Sequence, residues 1–268
     1  MRSVSSMFGF LVAITLVAGT AQAATLFAAS YDSGKTAEIV GGSGVPTVAG
    51  TSTIDNANFK YGGGALNTTA VTSGGGGLKY GTASNFNPLA GTVEMWFRVP
   101  GYDGSTRQEL FSIFAGGFTG DFSLYLDNTS GGRLKVDVDV AGNNQWQQRG
   151  FQGPAVTGDG NFHHVAFEWD TNAGFTTLYL DGVAESFTPL FGTVSFAGGT
   201  LGANMEIGSR QAGFDRLNGQ IDDLRISNVA LYNQVSSFAP PGPVVPEPTT
   251  LALLACGPLL FMRRRPSC

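Results

Sequence analysis

The sequence predicts an all-β domain, a two-sheet antiparallel sandwich, and three observations predict it. Hydrophobic residues recur with period two in segment after segment. Gly, Asn or Asp separate these segments at roughly 8 to 15 residues, the spacing of sandwiches and jelly rolls. No stretch from Ala24 to Tyr232 carries a 3.6-residue pattern.

The clearest segment runs from Asn161 to Phe187. Val165, Phe167 and Trp169 alternate with His164, Ala166 and Glu168; after a break at Asp170 to Gly174, Thr176, Leu178 and Leu180 alternate with Thr177, Tyr179 and Asp181. Successive side chains of a strand point to opposite faces, so each run has one buried face. Asp181-Gly182 suits a two-residue type I′ turn, whose central residues both need positive φ. Three strands therefore meander through this stretch.

Before it, Leu26 to Tyr31 reads as a first strand, closed by the turn Asp32-Ser33-Gly34. Gly41 to Gly44 and Gly74 to Gly77 read as surface loops and not phosphate cradles, because no helical pattern follows either. Val93, Met95, Phe97 and Val99 alternate with Thr92, Glu94, Trp96 and Arg98. Leu110 to Phe114, Phe122 to Leu126 and Leu134 to Val140 continue as strands; Asp137 and Asp139 alternate with Val136 and Val138, as on a solvated face. Gly142-Asn143-Asn144 turns toward a strand at Trp146, and Met205 to Gly208 and Gly219 to Ser227 close the fold.

Composition agrees. Of 268 residues, 42% are hydrophobic and 13% charged, with 39 Gly and 20 Phe, which suits short strands and tight turns and argues against disorder. The length fits one such domain with a sizeable core. Cys256 and Cys268 both lie in the last segment, so packing alone must hold the domain. Without Arg2, Arg263–Arg265 and Glu247, the 15 basic and 20 acidic residues become 11 and 19, a formal charge of −8 for 24–244. Such a domain repels nucleic acid and anionic membrane surfaces.

Four segments in order resemble the laminin-G-like jelly rolls of the concanavalin A-like lectin/glucanase superfamily. They are GTVEMWFRV at 91–99, HHVAF at 163–167, LYLDG at 178–182 and GQIDDLRISNVAL at 219–231, with a Gly-x-Ala-Leu strand start at 63–66. The resemblance spans roughly Thr25 to Tyr232 and implies a concanavalin A-like jelly roll over 24–232. It implies a fold more firmly than a function, since one fold hosts many sites.

The ends read as export and sorting signals. Arg2, the apolar run Met7 to Ala18 and Ala21-Gln22-Ala23 read as a secretory signal peptide over 1–23, expected to be handled by the Sec machinery. Residues 233–244 read as a stiff Pro-rich linker. Over 245–268, Val245-Pro246-Glu247-Pro248, an apolar run to Met262 and Arg263, Arg264 and Arg265 resemble the PEP-CTERM sorting signal of Gram-negative bacteria. That resemblance implies processing by an exosortase and delivery to the cell surface or extracellular matrix. Fourteen apolar residues span about 21 Å as a helix, short of a hydrocarbon core of about 30 Å, so membrane association is expected to be transient.

The Glu-x-Asp-x-x-Glu pattern of this superfamily's glycosidases is absent, as is Gly-x-Ser-x-Gly, so the chain reads as a non-enzyme. His163 falls on the core face and reads as a core or edge histidine. Glu94, Trp96, His164, Glu168 and Tyr179 fall on the opposite face; if their strands adjoin, they form an aromatic and polar strip suited to a sugar. Alternation puts Asp222 with Leu224 and Ile226, where a carboxylate must be paired, bridged to backbone amides or bound to a cation. The family resemblance implies a structural Ca²⁺ near the first and last strands, with Asp222, Asp32 and, if a bulge shifts the register, Asp223 as ligands. The expected function is binding of glycan or exopolysaccharide, or adhesion, at the cell surface or in a biofilm matrix. The alternatives are a polysaccharide-active enzyme of the same fold and a structural matrix protein without a discrete ligand.

Overall fold

The computed structural model describes residues 23–48, 50–69, 77–115, 121–128, 132–139, 146–150, 156, 158–185, 201–211 and 214–244. The expected signal peptide, apart from Ala23, and the sorting segment with Pro246, Glu247, Pro248, Arg263, Arg264 and Arg265 lie outside them.

Among the described residues every regular element is a strand. In chain order these are β1 (Thr25–Ala29), β2 (Ile39–Val40), β3 (Thr53–Asp55), β4 (Ala65–Asn67), β5 (Leu78–Gly81), β6 (Ala90–Arg98), β7 (Gln108–Ile113) and β8 (Phe122–Leu126). There follow β9 (Leu134–Asp139), β10 (Trp146–Gly150), β11 (His163–Asp170), β12 (Phe175–Leu180), β13 (Val183–Ala184), β14 (Asn204–Ile207) and β15 (Gln220–Ser227). They form two antiparallel sheets. The first runs β13-β12-β11-β6-β15-β1-β2, with β4 also on β15 and β3 on β4; the second runs β10-β9-β8-β7-β14-β5.

The inner faces meet as alternation requires. Val93, Met95, Phe97, Val165, Phe167, Trp169 and Leu178 of the first sheet pack against Phe111, Ile113, Phe122, Leu124, Val136 and Val138 of the second. Phe122 stacks on Phe167 with ring centres 5.6 Å apart, and Phe86 on Trp169 at 5.0 Å. Each such side chain contributes about 1.5–3 kcal/mol of burial. The Asp181-Gly182 turn joins β12 to β13 with φ of 50° and 77°, as two positive-φ positions demand.

Two features position the sites. On one side β15 pairs with β6; on the other its first residues pair with β4 and its last with β1, and the register slips between Asp222 and Arg225. Asp223 sits at φ 48° in that bulge. Beyond β15 the chain does not leave the domain. Residues 228–244, including the expected linker 233–244, return as a strap across the outer face of the first sheet. Thr92 Oγ1 donates to Val229 O, Phe238 N–H to Gly182 O, and Val244 N–H to Asp223 Oδ1.

Candidate functional site

The five residues of the expected strip do come together. β6, β11 and β12 adjoin, pairing Trp96 with His164 and setting Ala166 between Glu94 and Tyr179. The face they form is not wet, which corrects the sequence expectation: none of Glu94, Trp96, His164, Glu168 or Tyr179 is more than 7% exposed. The strap is the reason. Glu168 accepts N–H bonds from Tyr232, Asn233 and Gln234 at 2.8–3.1 Å and the Tyr179 hydroxyl at 2.8 Å. Tyr232 donates its hydroxyl to Glu94, and its ring stacks on Phe238 at 3.5 Å. Phe238 in turn meets Tyr179 and His164 edge-on, at 5.1 and 6.0 Å. Burial pushes the Tyr179 and Tyr232 hydroxyls far above their usual range, so both stay protonated donors.

His163 sits half-buried at the end of the core face, as expected. Its ring meets Phe97, and its nitrogens reach Asp181 at 2.8 Å and Asp159 at 3.3 Å. The hydrogen bond to Asp181 raises its pKa from the usual imidazole value.

The β15 bulge moves Asp222 off the face of Leu224 and Ile226. It pairs with Trp96 and joins the outer face instead, which corrects the strict alternation. Its carboxylate bridges backbone amides: Oδ2 accepts from Lys60 at 2.7 Å and Tyr61 at 3.1 Å, Oδ1 from Asp223 at 2.9 Å. Asp32 Oδ1 accepts from Gly63 at 2.6 Å and Gly64 at 3.3 Å. Gly62, just before them, sits at φ 66°, where a Cβ would collide with the Asp32 carboxylate. Asp223 Oδ1 takes the Val244 amide, leaving Oδ2 buried without a protein partner. Burial lifts Asp222 to about 7 and Asp223 to about 6. Among the described residues no three His, Cys, Asp or Glu side chains are grouped to hold a metal ion. With both oxygens of Asp222 and Oδ1 of Asp32 turned to N–H donors, these residues as arranged do not fit a calcium shell, which needs six to eight oxygens.

The outer face of the second sheet differs. Asp137, expected on a solvated face, is buried, and so is Glu109. Arg107 lies between them, 3.1 Å from Glu109 and 3.6 Å from Asp137, with its guanidinium 3.5 Å over the Tyr125 ring. Burial still lifts Glu109 to about 7 and Asp137 to about 6, against the pull of Arg107. One oxygen of each carboxylate lacks a protein partner.

Beside this cluster the chain between β14 and β15 folds back tightly. Arg210 and Phe214 exchange backbone hydrogen bonds at 2.9 and 2.7 Å, Arg210 pairs with Asp215 at 2.5 Å, and Asp215 O accepts the Glu109 amide at 2.7 Å. The turn leaves the Phe214 ring 54% exposed. Two grooves flank it. One, of about 480 Å³, is lined by Lys79, Ser112, Phe114, Asn204, Glu206 and Gln211; the other, of about 470 Å³, by Thr106, Arg107, Gln108, Asp215, Arg216 and Asn218. Sequence reasoning passed over Phe214, which belongs to no alternating run. The available signal was a large apolar residue just after Ala212-Gly213 in a polar turn.

The family model for the concanavalin A-like lectin/glucanases superfamily matches residues 72–234. Among solved structures, domain 4 of AbnA, an extracellular arabinanase from Geobacillus stearothermophilus in complex with arabinotriose, is similar with a TM-score of 0.56. Identity is 20% over 78% of this chain and 94% of that one. The receptor-binding domain of botulinum neurotoxin type G gives 0.55 at 12% identity, covering 77% of this chain and 48% of its own. The Ruminococcus gnavus IT-sialidase CBM40 gives 0.48 at 16%, over 58% and 88%. At such identities the likeness is one of fold. No curated protein matches the chain.

Proposed function

Since this chain belongs to the concanavalin A-like lectin/glucanases superfamily, we propose that it is a non-catalytic glycan-binding module that takes its ligand on the outer face of the second sheet. The carrying observation is the Phe214 ring, held in the open between two grooves of mixed polar and apolar lining by a tight, ion-paired turn. An exposed aromatic ring stacks on the apolar face of a sugar, and groups such as Ser112, Asn204 and Asn218 suit its hydroxyls. Of the structures with this fold, the arabinanase domain was solved with arabinotriose, which supports the reading at the level of ligand class.

Catalysis fits less well. A glycosidase needs two carboxylates flanking the scissile bond, and here Glu109 and Asp137 lie buried around Arg107 while Glu206 is tied to Lys79 at 3.2 Å. The export and sorting signals complete the proposal. Passed on by Sec and an exosortase, the module works outside the cytoplasmic membrane, at the cell surface or in the matrix, with exopolysaccharide as its partner.

The test is an array of neutral oligosaccharides probed with the full chain and with Phe214→Ala. Affinity should fall at least about tenfold, or 1.4 kcal/mol, with the melting temperature unchanged. Binding that survives the substitution would sink the proposal.

A further inference from the structure

The turn that carries Phe214 is fixed to β7 between the strand's two ends. Leu217 N–H closes the turn on Gly208 O at 2.8 Å, the Gly208 amide donates to Leu110 O at 2.9 Å, and Asp215 O accepts the Glu109 amide at 2.7 Å. One groove lies toward each end of β7. Ser112, in the strand's second half, and Phe114 beyond it line the first; Thr106, Arg107 and Gln108, at the strand's start, line the second. From Gln108 to Ser112 is four residues of strand, about 13 Å.

Phe214 belongs to the lining of both grooves. A sugar stacked on its half-exposed ring therefore has space for a neighbour in either direction, whereas a site for a chain end is closed on one side. The grooves, of about 480 and 470 Å³, each have the volume of a small-ligand site, enough for about two sugar units. Their chemistry differs. The first adds a second ring, the half-buried Phe114, to that of Phe214; the second offers the exposed polar side chains of Thr106 and Asn218.

We propose that the ligand is the interior of a linear glycan lying along β7, with one unit stacked on Phe214 and about two more in each groove. This rests on the reading above and adds the class of chain to it: an unbranched run of sugars held by its middle, and not a single sugar or a chain end. The groove with two rings captures the shortest fragments. Stacking removes apolar faces from water, whereas the hydroxyl contacts of the second groove exchange one hydrogen bond for another. Longer chains then cross Phe214 and reach Asn218.

The experiment is calorimetric titration of the full chain with arabino-, malto-, xylo- and cello-oligosaccharides from one unit to six. For a series that binds, affinity should climb at least about thirtyfold from two units to five and then level off. Phe114→Ala should weaken every length about tenfold. Asn218→Ala keeps the backbone N–H bond to Gln108, so it should weaken five units about three- to tenfold and leave two within about twofold. Should Phe114→Ala fail to fold, the exposed Asn204→Ala replaces it, with about a threefold loss expected at every length. Affinity already complete at one or two units, or an Asn218→Ala effect that is the same at all lengths, overturns the inference, while binding that still needs Phe214 keeps the reading above. Binding at no length, or binding indifferent to Phe214→Ala, removes both.

Discussion

The outer faces of the two sheets carry similar chemistry, carboxylates beside aromatic rings, and end in opposite states. On the first sheet Glu94, Trp96, His164, Glu168 and Tyr179 are closed off by a strap from the chain's own C-terminal side. On the second, Glu109, Asp137 and Tyr125 are gathered around Arg107, and the adjoining surface stays open as two grooves around Phe214. The difference lies in what neutralises buried charge. A guanidinium just ahead of β7 does it and leaves the surface free, whereas backbone N–H groups must be brought by another segment, which then covers the surface.

The largest way to break this comparison is Glu168→Gln. The carboxylate takes four donors, and the substitution turns an amide NH₂ against some of them. Charge-assisted bonds contribute about 1.5–3 kcal/mol each, so a loss of at least about 3 kcal/mol is expected. In a domain of this size that is about 6–12 °C in a thermal melt. A shift below 2 °C would mean the strap is held by its aromatic stack and its other hydrogen bonds, without Glu168.

Period two placed nearly every side chain of β6, β11 and β12 on its correct face, because inner-face burial writes that pattern directly into the sequence. Whether an outer face is wet depends on which distant segment lies on it. Nothing local to Glu94 or Tyr179 announces Tyr232 and Phe238, and the prolines that made 233–244 read as a linker also suit an extended strap. Strict alternation failed at Asp222 for a local reason. One bulged residue, Asp223, flips everything before it, and two adjacent Asp residues in a strand were the visible hint. The short strands β2, β3, β5 and β13 left no pattern to read, being two to four residues long.

A smaller effect separates the two faces by pH. Burial raises Glu109 and Asp222 to about 7 and Asp137 and Asp223 to about 6. Unfolded, such groups release their protons near pH 4, so between about 4 and 7 the folded state binds more protons and stability falls as pH rises. His163, raised by Asp181, works in the same direction, its contribution being lost as pH climbs through its folded pKa. Melting temperature should therefore be several degrees higher near pH 5.5 than near pH 8, and a flat profile would contradict the buried acids. Glu109→Gln should flatten the second sheet's share and Asp222→Asn the first's, each leaving the other intact.

The smallest expected effect concerns the seam where the strap ends. Asp222 and Asp32 accept amides, and of the three acids proposed for calcium Asp223 alone keeps a buried oxygen with no protein partner. A cation binding only the folded state raises its melting midpoint by mass action. As these residues are arranged, millimolar calcium should leave the midpoint within about 1 °C, because the oxygens a cation needs are already turned toward N–H groups. A clear rise, lost in Asp223→Asn, would show that the amides at Lys60, Tyr61, Gly63 and Val244 yield to a metal. The first sheet would then neutralise its charge as the second does, with a cation, and the strap would owe its place to Glu168 and the aromatic stack.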